Sequence, residues 1–445
     1  MIKKSILSER IESKLTQSFF DNLITLLFIV FIISPLFTFF YKTNMHIALN
    51  FKSTIATAVG NLLILSVIFK KVFYVVSNKE NDFKCNSFKQ KLKTFFKIHP
   101  EYFILFFMIL WSFFSSLFSE YRDIAFNGNG YRLEGFSQYF AYAGFFVAAI
   151  SLRDKSKWKF ILDSFLVVSY IAAILGIIEH FGVRLLFWST FPRCSSLFIN
   201  TNHFGYYLVI ATILSAYVWM NEKKQKIRYL HLIGYILLAF VLIYTDTRGV
   251  WIAHCLGLVF LSYFISYKEG RIFKPVTLTP LFITATVFLI ISLFENSSHI
   301  LRLTSIFKDS TLALSNTEKS NEAGSGRWIL WKYGIEFAFS KPIFGHGPDT
   351  FGELYALYDI DMDRPHNEYI QYAATIGIPG LLLYLSSLFI IIKRAIKNIK
   401  NVPNIYIVVL CACIGYLISA FFGNTTTYVT PYFWMLLGYL STSDL

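Results

Sequence analysis

The stretch NLITLLFIVFIISPLFTFFY, residues 22–41, carries no charged side chain at any position. About 20 apolar residues in a helix span the roughly 30 Å hydrocarbon core of a bilayer. A run that is apolar on every face, not along one stripe, marks a buried or membrane helix. Similar runs recur at 54–76, 102–119, 136–152, 159–181, 203–220, 229–245, 249–267 and 276–294. After a polar gap they resume at 370–392, 404–422 and 427–441, for about twelve spans. With 55% hydrophobic, 19% aromatic and only 15% charged residues, an ordinary soluble globular chain is excluded. The expected fold class is all-α, a polytopic membrane helix bundle of about 12 transmembrane helices with one large external loop. Residues 1–294 hold spans one to nine, 295–369 the loop, and 370–445 spans ten to twelve.

The formal net charge is +14, from 41 Lys and Arg against 27 Asp and Glu. Such an excess can mark a nucleic-acid binder, but its distribution points elsewhere. The basic residues collect on alternate loops: Lys3, Lys4, Arg10 and Lys14, then Lys70 to Lys97, then Arg153 to Lys159. The same side receives Lys223, Lys224, Lys226 and Arg228, then Lys268, Arg271 and Lys274, and finally Lys393, Arg394, Lys397 and Lys400. This bias sets membrane orientation. Both termini are expected in the cytoplasm and the long loop outside, with the bilayer as partner and no nucleic acid. Lys3 and Lys4 before an apolar run imitate a signal peptide. No small-residue cleavage site follows and Tyr41-Lys42 flanks the run, so an uncleaved helix is expected. Cys85, Cys194, Cys255, Cys411 and Cys413 form no CxxC pair, which points away from disulfides and a thiolate metal site.

No internal repeat and no matching pair of Gly/Pro-broken helices is visible, which weighs against a secondary transporter. Ionisable residues are scarce inside the spans, Asp163 being the clearest. Arg122, Arg132, Glu134, Arg193, His203, Asp246 and Arg248 instead fall at or near helix ends on the side of the loop. Snorkelling explains one such arginine. A group of them needs a further reason, because a charge at the centre of a spanning helix costs about 2.5–3.5 kcal/mol on insertion scales.

Within the loop, residues 295–325 are rich in Ser, Asn, Thr and Glu, end in Gly324-Ser325-Gly326, and read as a mobile stretch. From Arg327 to Phe339, Trp328, Trp331, Ile335 and Phe339 recur at helical spacing, with Lys341-Pro342 as the stop. An amphipathic helix on the outer membrane surface, or packed on the bundle, is expected. Gly345-His346-Gly347-Pro348-Asp349-Thr350 reads as a tight turn, since it lacks the Gly-Lys-Ser/Thr of a phosphate loop. His366-Asn367-Glu368 precedes a span broken by Gly377-Ile378-Pro379-Gly380. No second His or carboxylate stands at i+3 or i+4 from His366, so a zinc pair is weak and no metal site is expected.

Asn200-Thr201-Asn202-His203-Phe204, Thr247-Arg248-Gly249, Gly326-Arg327-Trp328 to Trp331, Pro342 to Gly347, and His366-Asn367-Glu368-Tyr369 with Gly377 to Gly380 together resemble the O-antigen ligase family. That family includes O-antigen polymerases and protein O-oligosaccharyltransferases. The resemblance covers mainly residues 190–385, and it lies in the order and spacing of motifs around one large loop, each being degenerate alone. Gly130-Tyr131-Arg132-Leu133-Glu134-Gly135 is similar to an upstream element of such proteins.

The resemblance implies a multi-pass enzyme of the bacterial cytoplasmic (inner) membrane. Its donor would be a polyprenyl-diphosphate-linked glycan and its acceptor a glycan, lipid or protein, with inversion, no cofactor and no essential metal. It also implies two critical external arginines and one histidine, which map to Arg248, Arg327 and His366. The departures are small: Thr247 stands where Ser is common, and His346 takes a variable position.

Elementary chemistry agrees with these roles. Guanidinium forks give bidentate, charge-assisted bonds to a departing diphosphate, each worth several kcal/mol by analogy with the loss of about 2.7–4 kcal/mol on removing one oxyanion donor. A positioned histidine that takes the acceptor proton contributes a factor of about 10²–10⁴. Arg132, Glu134, Arg193, Asn202, His346 and Glu368 complete the expected site, the first four for sugars or the second phosphate and Glu368 to orient His366. The competing reading is a transporter or flippase of a lipid-linked or anionic substrate.

Overall fold

A computed structural model describes residues 2–41, 43–77, 99–130, 132–184, 186, 192–295, 298–313, 324 and 326–442. Every regular element among them is helical. The basic loop at 78–98 with Cys85, and Tyr131 and Ser325, lie outside the described residues.

The bundle is built from α1 (Ile2–Ile33), α2 (Met45–Ser77), α3 (Pro100–Phe118), short α4 (Arg122–Asn127), α5 (Phe136–Ser151), α6 (Lys155–His180), α7 (Thr201–Asn221), α8 (Gln225–Tyr244), α9 (Arg248–Lys268) and α10 (Thr279–Phe294). The loop carries α11 (Ser298–Ala313), α12 (Arg327–Ser340) and α13 (Phe351–Ala356). The chain then returns through α14 (Glu368–Thr375), α15 (Gly377–Lys397), α16 (Asn404–Ala420) and α17 (Thr430–Leu440).

Among the described residues, nine helices are long and apolar enough to cross a membrane, where the sequence suggested about twelve. The stretches 136–152, 404–422 and 427–441 form α5, α16 and α17, of 16, 17 and 11 residues. At 1.5 Å per residue, the last is about half the thickness of the hydrocarbon core. In α16 and α17 apolarity serves burial by neighbouring helices, because most residues of α16 and nearly all of α17 are shielded inside the bundle. Glycine permits a close helix approach between α2 and α5, where a Cβ on Gly144 would lie 2.1 Å from the carbonyl oxygen of Gly60.

The loop contains more order than its composition suggests. Residues 298–313, expected to be mobile, form α11; 314–323 lie outside the described residues. Ile300, Leu303 and Phe307 recur on one face of α11 and are exposed, while Arg302, Ser305 and Asp309 recur on another. That two-sided pattern is hidden in a composition dominated by Ser and Thr. In α12 the inward stripe is Leu330, Gly334, Phe337 and Ala338, packed with Phe351, Leu354 and Tyr355. Trp328, Ile335 and Phe339, three of the four residues read from the sequence, point outward instead. This outward face suits the headgroup layer of a membrane.

Candidate functional site

At the loop end of the bundle, Leu133, Asp246 and His366 adopt φ of 54°, 54° and 53°. Each such non-glycine residue costs about 1–2 kcal/mol and persists only where its surroundings over-determine it. For the segments around Leu133 and His366 the fixing group is Arg364, 1% exposed, which bonds Glu134 Oε2 at 3.2 Å and also the Asp349 carboxylate. Asp349 Oδ2 accepts the main-chain N–H of Asn129 at 2.7 Å and of Glu134 at 2.9 Å. Three chain segments, 129–134, 347–350 and 363–366, are thereby joined.

Arg248 opens α9 immediately after the strained Asp246. Arg193 braces that turn by donating to Thr245 O at 2.8 and 3.1 Å, and Thr247 Oγ1 donates to Asn202 Oδ1 at 3.0 Å. Arg248 Nη1 reaches across to α11, donating to Ser305 Oγ at 2.7 Å and to Asp309 Oδ2 at 2.5 Å. Arg302, also on α11, pairs with the Asp246 carboxylate at 2.9 Å.

Arg327 opens α12 behind Gly326, whose φ of 78° turns the chain into the helix. It is half-buried and, among the described residues, has no hydrogen-bond acceptor and no carboxylate partner. Burial lowers its pKa, Tyr206 partly offsets this, and Arg248 and Arg302 add to the lowering. A guanidinium nevertheless stays charged. Arg327 is also felt by His366, so it neighbours both the Arg248–Arg302 group and the histidine.

Around His366 lie Arg132, Asp363 and Arg364. Arg132 grips Asp363 with both arms of its fork, at 2.6 and 3.1 Å, and its Nη1 is 3.4 Å from His203 Nε2. Burial pushes the Asp363 carboxyl up, but Arg132 outweighs it and holds that group well below the usual carboxylate range. For His366, burial and then the neighbouring Arg327 and Arg132 push the imidazole down to about 3. The ring is therefore neutral near pH 7 and has a lone pair available.

Three of the expected site residues are placed as braces. Glu134 is 1% exposed, with its oxygens taken by Arg364 and by Tyr142 OH at 2.5 Å. Glu368 is fully buried and turns away from His366, accepting from Tyr384 OH at 2.6 Å and Tyr416 OH at 3.1 Å. His346 Nε2 lies 2.9 Å from Ser340 Oγ and 3.1 Å from Phe337 O, tying the Gly345–Gly347 turn to the end of α12. Arg193 and Asn202 shape the turn before Arg248. Arg302, Asp309, Asp363 and Arg364 were not singled out from the sequence. The signal for the last two was the run Asp363-Arg364-Pro365 directly before His366. Among the described residues, no group of three or more His, Cys, Asp or Glu is placed to hold a metal ion.

The fold and this site define a polytopic membrane protein with an arginine-rich centre beneath one long loop. Residues 233–385, from within α8 into α15, match the O-antigen ligase family model. The resemblance read from the motifs is borne out there. No curated protein matches the chain. The matched segment holds Arg248, Arg327, His346, His366 and Glu368, while Arg132, Glu134, Arg193 and Asn202 precede it.

Proposed function

We propose that the protein is a glycosyltransferase of the bacterial cytoplasmic membrane that takes an oligosaccharide from a polyprenyl-diphosphate donor on the outer face. A hydroxyl of a glycan, lipid or protein acceptor attacks the anomeric carbon as the bond to the phosphate oxygen breaks, in one inverting displacement without a metal or other cofactor. His366 receives the hydroxyl proton, and Arg248 and Arg327 stabilise the charge left on the diphosphate. Arg132 helps hold the sugar or the second phosphate.

The observation that carries this reading is Arg327: a half-buried cation without a carboxylate partner among the described residues, close enough to both Arg248 and the His366 imidazole to be felt by each. An anionic ligand would supply the missing charge. A groove of about 410 Å³ lined by Tyr369, Ile392, Ile414, Leu417, Ile418, Phe421 and Phe422 supports a lipid-borne donor. Its Phe421 ring lies 5.4 Å from Trp331, one turn along α12 from Arg327.

Arg248→Ala, Arg327→Ala and His366→Ala are expected to remain in the membrane while surface glycan product is lost. Normal product from all three variants overturns the assignment. Protein reconstituted in liposomes separates enzyme from carrier: sugar transfer on one face supports the first, and lipid crossing without bond cleavage supports a flippase. In cells lacking the gene, accumulated single repeats indicate a polymerase and long lipid-linked chains a ligase.

A further inference from the structure

We infer that Asn424 is the positioning residue of the His366 base: its side-chain carbonyl accepts the Nδ1 proton and leaves the Nε2 lone pair for the acceptor hydroxyl. This rests on the reading of His366 given above. Asn424 lies in the turn between α16 and α17, outside the segment that matches the family, and is 3% exposed. Its amide is in contact with the ring, Nδ2 lying 3.3 Å from His366 Nδ1. Its Oδ1 is buried and, among the described residues, receives no donor.

A neutral imidazole has one N–H and one lone pair. With Nδ2 facing Nδ1, the amide consumes that lone pair, the ring proton must sit on Nε2, and nothing remains to accept a proton from substrate. Turning the amide over exchanges nitrogen and oxygen without changing its shape, and the two are distinguished only by their hydrogen bonds. In the turned form Oδ1 accepts Nδ1–H and the ring is held in the basic tautomer.

The surroundings favour an amide in this role. The charged and titratable groups facing the ring are Arg327, Arg132, Arg364, Asp363 and His203. Asp363 is committed to both arms of Arg132, and Glu368 to two tyrosines. The amide carbonyl holds the Nδ1 proton without adding a charge that would favour imidazolium. The main chain at His366 is already fixed by its φ of 53° and by Asn367, whose side chain caps α14. What stays free is rotation of the ring, and Asn424 is the contact that restrains it.

The test measures transfer by purified protein in liposomes, using lipid-linked precursor extracted from cells that lack the protein. Asn424→Leu is expected to lower kcat about 10- to 100-fold, the usual cost of losing an orienting partner, with donor KM within about twofold. Asn424→Asp keeps the oxygen acceptor, retains most of kcat, and moves the acid limb of the rate to higher pH, because a carboxylate favours imidazolium. An Asn424→Asp enzyme that is as impaired as a dead one, or whose acid limb does not move, overturns the inference, and this arm stands even if the leucine variant fails to accumulate. Normal kcat in Asn424→Leu beside an inactive His366→Ala overturns the inference alone. A fully active His366→Ala removes the base, and both readings fall together.

Discussion

His366 concentrates most of the local chemistry in one ring. Its imidazole is pushed down to about 3 by burial and then by Arg327 and Arg132. A lowered pKa disfavours the charged form, so the neutral base persists as pH falls below 6.5 and is lost only on approach to 3. Transfer rates under saturating donor are therefore expected to stay flat from about pH 8 to about pH 5, where a free imidazole of pKa near 6.5 would already be mostly protonated. A half-maximal rate near 6.5 would show that the ring titrates as if exposed and unaccompanied. Part of this was legible in the sequence, since the family resemblance carried by the motifs pointed to Arg248, Arg327 and His366. What sequence could not give was direction. Glu368, two residues from His366, faces Tyr384 and Tyr416, because it opens α14 whereas His366 lies before the helix with a φ of 53°. Arg364 sits beside the histidine and yet its Nη2 is taken by Glu134 and Asp349, whose separation in the chain hides the pairing.

The element that sets access to Arg248 is α11. Asp309 and Ser305 on this helix occupy one arm of the Arg248 guanidinium, and Arg302 on the same face is tied to Asp246. A donor phosphate that binds Arg248 through that arm must compete with the Asp309 carboxylate. The pair is partly exposed, 18% and 27% at the two side chains, and exposed pairs are worth about 0.2–1 kcal/mol. Asp309→Asn is thus expected to lower the donor KM by roughly two- to fivefold with little change in kcat, read from initial rates over a donor titration. A fall in kcat at unchanged KM would mean that Asp309 instead holds Arg248 in its working position. The helix itself escaped the sequence reading because abundant Ser and Thr outweighed the recurrence of Ile300, Leu303 and Phe307. By contrast, α12 was readable from its helical spacing and its Lys341-Pro342 stop, although its buried stripe lies on the face opposite Trp328 and Phe339, which first drew notice.

Across the whole molecule, two kinds of basic residue occupy opposite ends. At the end away from the site, Lys268 Nζ donates to Asn404 Oδ1 at 3.0 Å, Arg394 Nη2 to Glu101 Oε2 at 2.8 Å, and Lys70 Nζ to Ser151 O at 2.8 Å. The short loops at 152–154, 222–224, 269–274 and 398–403 all close there, and with the helix ends beside them they carry the basic segments. At the other end Arg132, Arg193 and Arg248 meet Arg302 and Arg327 of the long loop. The first group is what the positive-inside rule places in the cytoplasm. The second runs against that rule, so its retention calls for a reason in binding and not in insertion. The orientation is checkable with a membrane-impermeant thiol reagent on intact spheroplasts. Asp361→Cys, exposed near the site, is expected to label above the parent protein without opening the membrane, and Lys223→Cys, between α7 and α8, only after opening it. The reverse pattern would put the arginine centre in the cytoplasm, where transfer on the outer face is impossible, and would overturn the proposed compartment whatever the reaction proves to be.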